Sequence, residues 1–328
     1  MLASPLLGEL TKALEALGMS PSSASDLSSH VQANSWPIDG ALSRCSQAKH
    51  GIDKGVLPRA DVLKILCQQP AYLECCHHTV YEDSDIVAVN KAFDTQLHRD
   101  NSADGWEREI TLRDHLAAHH AEVLTPSGDM RLCHQLDFAT SGLIVAAKSH
   151  DSASAVARTF RERDARKLYC ALCFGHPSFD VARWEDRIMV SKRRFKQRIS
   201  SAPRSKTART DVTVGARGIL KLGDDHRGRE CAMLWLEPRT GRRHQLRLHA
   251  AHAGHALVGD FTYAGDKMCY RTFLHASALE LPLSDENTLR IKAPVAPSGW
   301  MNAFEPLEEL KSPDGWPNAV ESIVTVAS

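Results

Sequence analysis

No stretch of the 328-residue chain offers the roughly 18 consecutive apolar residues that a membrane-spanning helix needs. Arginine is absent before Arg44, and Lys12 is the only basic residue ahead of it, which argues against an arginine-rich organelle presequence. Neither Gly-x-Gly-x-x-Gly nor a Walker loop occurs, so nucleotide-cofactor chemistry has no support. Internal repeats are lacking as well. The nine cysteines are odd in number and scattered, which argues for reduced thiols inside a cell and against a secreted disulfide framework. Net charge is also missing, with 40 basic residues against 40 acidic ones. What remains, 43% hydrophobic and 24% charged, suits a globular chain of one large domain or two medium ones.

The zero net charge hides an asymmetry. Residues 158–247 carry 23 Lys and Arg against 10 Asp and Glu, a net of +13, and the remainder carries −13. Between 187 and 217 ten basic residues face Asp211 alone, among them Lys192, Arg193, Arg194, Lys196 and Arg198. Such a block repels itself unless a polyanion neutralises it. A solvated loop and a phosphate-backbone contact are both consistent with it.

Residues 1–78 read as a helical N-terminal extension. Leu6, Leu7, Leu10, Leu14 and Leu17 recur at helical spacing, and a second helix is expected from about Asp61 to Cys75. The main domain spans 79–300 and a tail follows over 301–328. Strands are expected at 79–82, 86–90, 143–147, 167–174, 231–237, 274–281 and 289–292. Helices are expected at 112–123, from about 153 to 160 with Ser149 or Asp151 as cap, and at 245–253. Strands dominate without regular βαβ alternation, which indicates the α+β class. Residues 184–230 hold few apolar runs and read as a long basic excursion.

Metal-ligating residue types are present but poorly arranged. Glu74-Cys75-Cys76-His77-His78 packs potential ligands side by side, where they diverge. Cys170-x-x-Cys173 sits in a strand-like run, and His115 and His119 lack the glutamate of a zinc-protease helix. His244, His249, His252 and His255 stand among arginines that oppose a dication. A zinc hydrolase built on them is a rival reading.

Two segments carry more. His134-Gln135-Leu136-Asp137-Phe138-Ala139-Thr140-Ser141-Gly142-Leu143 sets an aspartate before a tight turn that enters a buried strand. Asp137 could simply accept hydrogen bonds from its own turn, or it could be a carboxylate fixed at a sheet edge. Downstream, Thr240-Gly241-Arg242-Arg243-His244-Gln245-Leu246-Arg247-Leu248-His249 supplies a glycine turn and a row of donors. A buried arginine there needs a carboxylate, and Asp137 is a candidate.

Together these segments resemble the RluA-like family of RNA pseudouridine synthases. The family pattern His-Arg-Leu-Asp-x-x-Thr-Ser-Gly is matched by His134, Leu136, Asp137, Thr140, Ser141 and Gly142. Lys167, Tyr169, Ala171 and Leu172 match its Lys-x-Tyr-x-Ala-Leu element, and the 240–249 segment matches its Thr-Gly-Arg-x-His-Gln-x-Arg-x-His element. Gly254-His255, Gly259-Asp260, Tyr263 and Leu274-His275-Ala276 follow in family order, so the likeness covers about residues 79–295. Gln135 replaces the family arginine, as in the branch of domain-containing proteins with His-Gln-Leu-Asp, and Lys91-Ala92 stands in place of Lys-Pro.

The resemblance implies a bent, mostly antiparallel mixed sheet in two subdomains flanking a basic cleft. It implies an isomerase that converts uridine to pseudouridine in ribosomal or transfer RNA without cofactor or metal. Asp137 would be the nucleophile, Arg247 its ion-pair partner and Tyr169 the aromatic residue against the base. His134, Gln135, Thr140, Lys167, Arg242, His244 and Leu274 would contact substrate, with Lys192, Arg193, Arg194, Lys196 and Arg198 on the RNA backbone. The expected partner is RNA, at a single-stranded or loop uridine in a structured molecule, met by a monomer without membrane contact. A non-catalytic RNA-binding protein on the same fold is the alternative.

Overall fold

The computed structural model describes residues 77–319, apart from 94, 99–110, 190–195, 223–225, 267–268, 270, 285–286, 294–299, 301–302 and 317–318. The expected N-terminal helices, Cys75 and Cys76, and Lys192, Arg193 and Arg194 lie outside the described residues.

Eleven strands form one sheet: β1 (His78–Glu82), β2 (Ile86–Lys91), β3 (Ser141–Ala147), β4 (Arg166–Phe174), β5 (Val181–Met189), β6 (Arg198–Ile199), β7 (Lys206–Leu220), β8 (Glu230–Pro238), β9 (Leu274–Ser284), β10 (Asn287–Lys292) and β11 (Phe304–Pro306). Their order is β1-β2-β3-β9-β4-β8-β7-β5-β6, with β10 on β9 and β11 on β7. Only the β3–β9 contact is parallel, so the α+β, mostly antiparallel expectation holds. Three α-helices are described: α1 (Leu112–His119), α2 (His150–Glu162) and α3 (Gln245–His252).

Local chemistry explains the elements nearest the cleft. All seven residues of β3 are buried, as expected of an apolar run flanked by strands on both edges. Gly142 has φ +107, and a Cβ there would collide with the Ala276 backbone of β9. Glycine is therefore what lets β3 lie against β9 at this point. The Ser149 hydroxyl caps α2 by accepting the Ser152 amide at 3.0 Å. A Thr111–Asp114 capping box starts α1, which ends at His119 because His120 leaves helical geometry.

Two expectations are corrected. The span 184–230 is not an excursion from the sheet, since about half of it is β5, β6 and the fifteen-residue β7, paired with each other and with β8. The inward positions of β7 include Ala208 and Thr210 while several outward ones are charged, so hydrophobic alternation is weak although burial alternates. The segment after 300 is not a simple tail either. β11 pairs with β7, and the Lys311 carbonyl accepts the Trp235 indole N–H at 2.7 Å.

Two large core clusters flank the cleft among the described residues, beside a small third of Ile188, Ala208 and Leu248. One joins β2, β3, α1, α2 and the far end of β9, and the other joins β4, β5, β7, β8 and α3. Tyr169 packs against both, which places β4 at the seam.

Candidate active site

Asp137 is held by backbone supports on the β3 side. The Thr140 amide donates to the Asp137 carbonyl at 3.2 Å, which closes the turn. Lys91 is fully buried and donates to the carbonyls of Ala92 at 2.7 Å, Thr95 at 3.2 Å and Phe138 at 3.1 Å. The Thr95 amide also reaches the Phe138 carbonyl, at 3.3 Å. His134 Nε2 accepts the Val145 amide at 3.2 Å, and its ring packs on Phe160 with centroids 4.9 Å apart. Burial lowers the His134 pKa to about 3, so the ring is neutral and suited to accept. His134 thus fastens the loop to β3. Between these anchors the Asp137 side chain is 22% exposed.

Arg247 faces it from α3 and is buried. The expected ion pair with Asp137 is present, but the bidentate partner of Arg247 is Asp260. Nε and Nη2 donate to the two Asp260 oxygens at 2.9 and 2.8 Å, and Nη2 also donates to Thr262 Oγ1 at 2.9 Å. Nη1 remains for Asp137, with its Oδ2 at 3.6 Å. Burial works against the Arg247 charge, and the hydrogen bonds and charge of Asp260 outweigh it, so its pKa is raised. Asp260 Oδ1 also accepts the amides of Thr262 at 2.9 Å and Tyr263 at 3.1 Å.

The Thr240–Gln245 turn is pinned by Gln245, which uses every hydrogen-bonding position it has. Its oxygen accepts from Thr240 Oγ1 at 2.7 Å and the Arg242 amide at 3.0 Å. Its nitrogen donates to the Arg209 carbonyl at 2.9 Å and Thr210 Oγ1 at 3.0 Å. His244 follows in left-handed conformation at φ 57, a costly backbone for a non-glycine residue that clusters at functional sites. Its Nε2 lies 4.0 Å from Asp137 Oδ1, and its Nδ1 lies 2.9 Å from the Tyr263 hydroxyl. That hydroxyl also accepts the Gln197 amide at 3.0 Å, which ties His244 and Tyr263 to the strand side of the cleft. Burial lowers the His244 pKa, the Asp137 charge opposes that, and Arg247 and Arg243 add to it.

Tyr169 and Lys167 project from β4 into the same cleft. Burial, with the Asp137 charge behind it, raises the Tyr169 pKa, so the phenol stays protonated. Burial lowers the Lys167 pKa, and its ammonium sits 5.7 Å from the centre of the Phe160 ring. Leu274 and Thr140 are buried in the wall, Gln135 is exposed, and Arg242 donates to the Thr207 carbonyl at 3.2 Å. The cleft therefore gathers Asp137, Tyr169, Arg247, His134, Gln135, Thr140, Lys167, Arg242, His244 and Leu274. Of the basic block, Lys196 lies over the Tyr263 ring at 5.5 Å, and Arg198 is exposed on β6.

The cleft encloses about 1970 Å³ and is lined by ten arginine and lysine side chains against three acidic ones. Several cations are already matched: Arg166 to Glu237 and Glu280, Arg239 to Asp211 and Glu237. Arg161, Arg163 and Lys167 have no carboxylate within ion-pair distance among the described residues. The sequence reading assigned no role to Arg161, Arg163, Asp260, Lys91 or Tyr263. Only Lys91, Asp260 and Tyr263 carried a signal, as parts of the quoted motifs.

The histidines of 244–255 do not converge. His249 Nδ1 meets Thr210 Oγ1 at 3.0 Å, His252 lies 3.7 Å from Asp186, and His255 packs edge-on to Phe179. Cys170 and Cys173 are buried free thiols. Among the described residues, His226, Asp266 and Cys269 form one group spaced for a metal, and Glu82, His120 and Glu122 form another. In the second, Lys148 already supplies the cation, 2.6 Å from Glu82 and 3.4 Å from Glu122.

Comparison with known proteins covers the same span. Residues 85–252 match the family described as RNA pseudouridylate synthase. The chain is 31% identical over 236 residues to RNA pseudouridylate synthase domain-containing protein 1 of Danio rerio, covering 69% of this chain and 76% of that protein. It is 30% identical over 226 residues to the dual-specificity RNA pseudouridine synthase RluA of Escherichia coli, covering 66% of this chain and 91% of that protein. The solved structure of human RNA pseudouridylate synthase domain containing 1 superposes with a TM-score of 0.60 at 28% identity, covering 77% of this chain and 96% of that one.

Proposed function

Because the chain belongs to the RNA pseudouridylate synthase family, we propose that its cleft isomerises uridine in RNA to pseudouridine with Asp137 as the reacting carboxylate. The reaction breaks the bond from C1′ to N1, turns the base, and joins C1′ to C5. N1 gains a proton and C5 loses one, so atoms and electrons balance without oxidant, reductant or cofactor. One carboxylate serves, either attacking C1′ or acting as the base that starts glycosidic cleavage.

The observation that carries this reading is the environment of Asp137. Its Oδ2 lies 3.6 Å from the buried Arg247 guanidinium, and its side chain is open to the cleft. The fixed cation offsets the cost of closing an anion away from water. Tyr169 stays protonated and offers an aromatic face that would keep the detached uracil from drifting. Leu274 would wall the base pocket. His244 would hold the carboxylate in position from its other oxygen. Extruding the uridine costs a few kcal/mol and needs contacts that hold the strand. Arg161, Arg163 and Lys167 at the cleft, with Lys196 and Arg198 beyond it, supply cations for that purpose.

The test pairs site-resolved pseudouridine mapping in cells with and without the protein with the Asp137→Asn variant. The positions lost on deletion should be restored by wild type and not by Asp137→Asn, which should still bind RNA. Conversion by Asp137→Asn above a hundredth of wild type would show that another group does the chemistry.

A further inference from the structure

We infer that Phe138 and Phe261 form two stacking platforms that hold the nucleobases on either side of the target uridine, an inference that rests on the reading of the cleft given above. Among the described residues four large hydrophobic side chains are strongly exposed, and two of them, Phe138 at 41% and Phe261 at 63%, line the cleft. An exposed apolar ring is ordinary on a protein surface. Two of them in a cleft lined by ten cationic side chains are not explained by that cleft's charge.

Both rings sit on fixed backbone. The Phe138 carbonyl accepts from Lys91 Nζ at 3.1 Å and from the Thr95 amide at 3.3 Å. Phe261 lies between Asp260, clamped on Arg247, and Thr262, whose amide and hydroxyl are both engaged, at 2.9 Å each. Each phenylalanine thus follows directly one of the two carboxylates that face Arg247, one held by the Lys91 contacts and the other by the Asp260 clamp. A ring held so, with its side chain exposed, loses little freedom when a flat partner lies on it.

The partner's chemistry follows from its surroundings. A cationic cleft selects a polyanion, and exposed aromatic rings select flat faces, a combination that single-stranded nucleic acid satisfies. The volume, about 1970 Å³, exceeds the roughly 300–1,000 Å³ of a small-molecule site, so the extruded uridine leaves room for its neighbours. Extrusion strips those neighbours of a stacking partner. Rings one residue from Asp137 and from Asp260 replace that partner at the place where it is lost. Gln135, exposed in the same cleft, offers neither ring nor charge.

The test uses hairpin RNAs with one loop uridine flanked by randomised nucleotides, with conversion read for each sequence. Phe138→Ala and Phe261→Ala should each lower kcat/KM by about tenfold to a hundredfold, mainly through KM, at unchanged melting temperature. Tyrosine at either position should restore it. An abasic residue beside the uridine should cost wild type a similar factor and cost the matching alanine variant little more. Alanine variants within twofold of wild type, or an abasic penalty undiminished in them, would overturn the inference while leaving uridine conversion intact. A wild type that converts no uridine in any hairpin would instead overturn the reading of the cleft, and the stacking inference with it.

Discussion

The two walls of the cleft present one carboxylate each to the same arginine, and they treat it differently. On the α3 side Asp260 is fully buried and accepts two bonds from Arg247 and two from backbone amides. On the β3 side no hydrogen bond reaches the Asp137 carboxylate among the described residues, and Arg247 Nη1 stands 3.6 Å away. A buried carboxylate held by four hydrogen bonds is a poor nucleophile and a strong clamp. The contrast teaches that one guanidinium can be fixed by a structural acid and so be pre-aimed at a second acid that stays open to the cleft.

The largest break of this contrast should come from Asp260. Asp260→Ala leaves a buried guanidinium uncompensated and should cost about 3–5 kcal/mol, read by denaturant unfolding. Asp137→Asn should shift stability by no more than about 1 kcal/mol while abolishing turnover. Equal destabilisation by the two variants would mean that both acids are structural.

Lys91→Met tests the supports of the Asp137 wall. It removes three charge-assisted bonds to carbonyls, Phe138 among them, and should cost about 2–3 kcal/mol. It should also lower kcat more than it raises KM, because the carboxylate loses its position and not its contacts with RNA.

Acid should weaken both walls together. Burial lowers the pKa of His275, behind Ser141, to about 3 and of His249, on α3, to about 4. The unfolded chain takes up these protons near pH 6.5 and the folded one does not. Stability is therefore present above that value and is lost as pH falls toward 4, by up to about 1.4 kcal/mol per pH unit for each histidine. Melting temperatures between pH 7 and 4.5 measure this, and a flat profile would mean that neither ring is buried neutral.

Neutralising Arg161 and Arg163 should flatten the salt dependence of RNA binding by up to about 0.7 log units per lost contact, without changing kcat. The smallest expected effect is at Gln135. Glutamine is shorter than the family arginine and uncharged, so wild type should prefer unpaired uridines, and Gln135→Arg should narrow the loop-to-duplex ratio of conversion rates. An unchanged ratio would remove Gln135 from substrate choice.

Much of the Asp137 wall was legible because its parts are contiguous. The turn, Gly142 and the apolar β3 run stand in the eleven residues from Asp137 to Ala147, and local sterics decide their shape. The opposite wall was legible only in part. Gln245 and Arg247 were visible, but the clamp lies thirteen residues on, at Asp260, and nothing local distinguishes it from Asp137 as a partner. Strand β7 is hard to read because Val212 and Val214 are its only large apolar inward residues before Leu220, with Ala208, Thr210, Gly215, Ala216 and Gly218 at the other buried positions, so its alternation is plainer in burial than in hydropathy. The role of Lys91 was hidden for another reason. Its carbonyl partners include Phe138, forty-seven residues away, and a buried lysine has no pattern of its own.

By itself the sequence determined the residue types, the order of the motifs, the family and the elements whose periodicity is strong, since these depend on neighbours along the chain. Which acid Arg247 clamps and which it leaves open was decided by tertiary structure. So were the union of Tyr169, Asp137 and His244 in one cleft and the exposure of Phe138 and Phe261 in its lining. The reason is physical: hydrogen-bond partners and burial are settled by distances between segments brought together by the sheet, and residue type alone carries no distance.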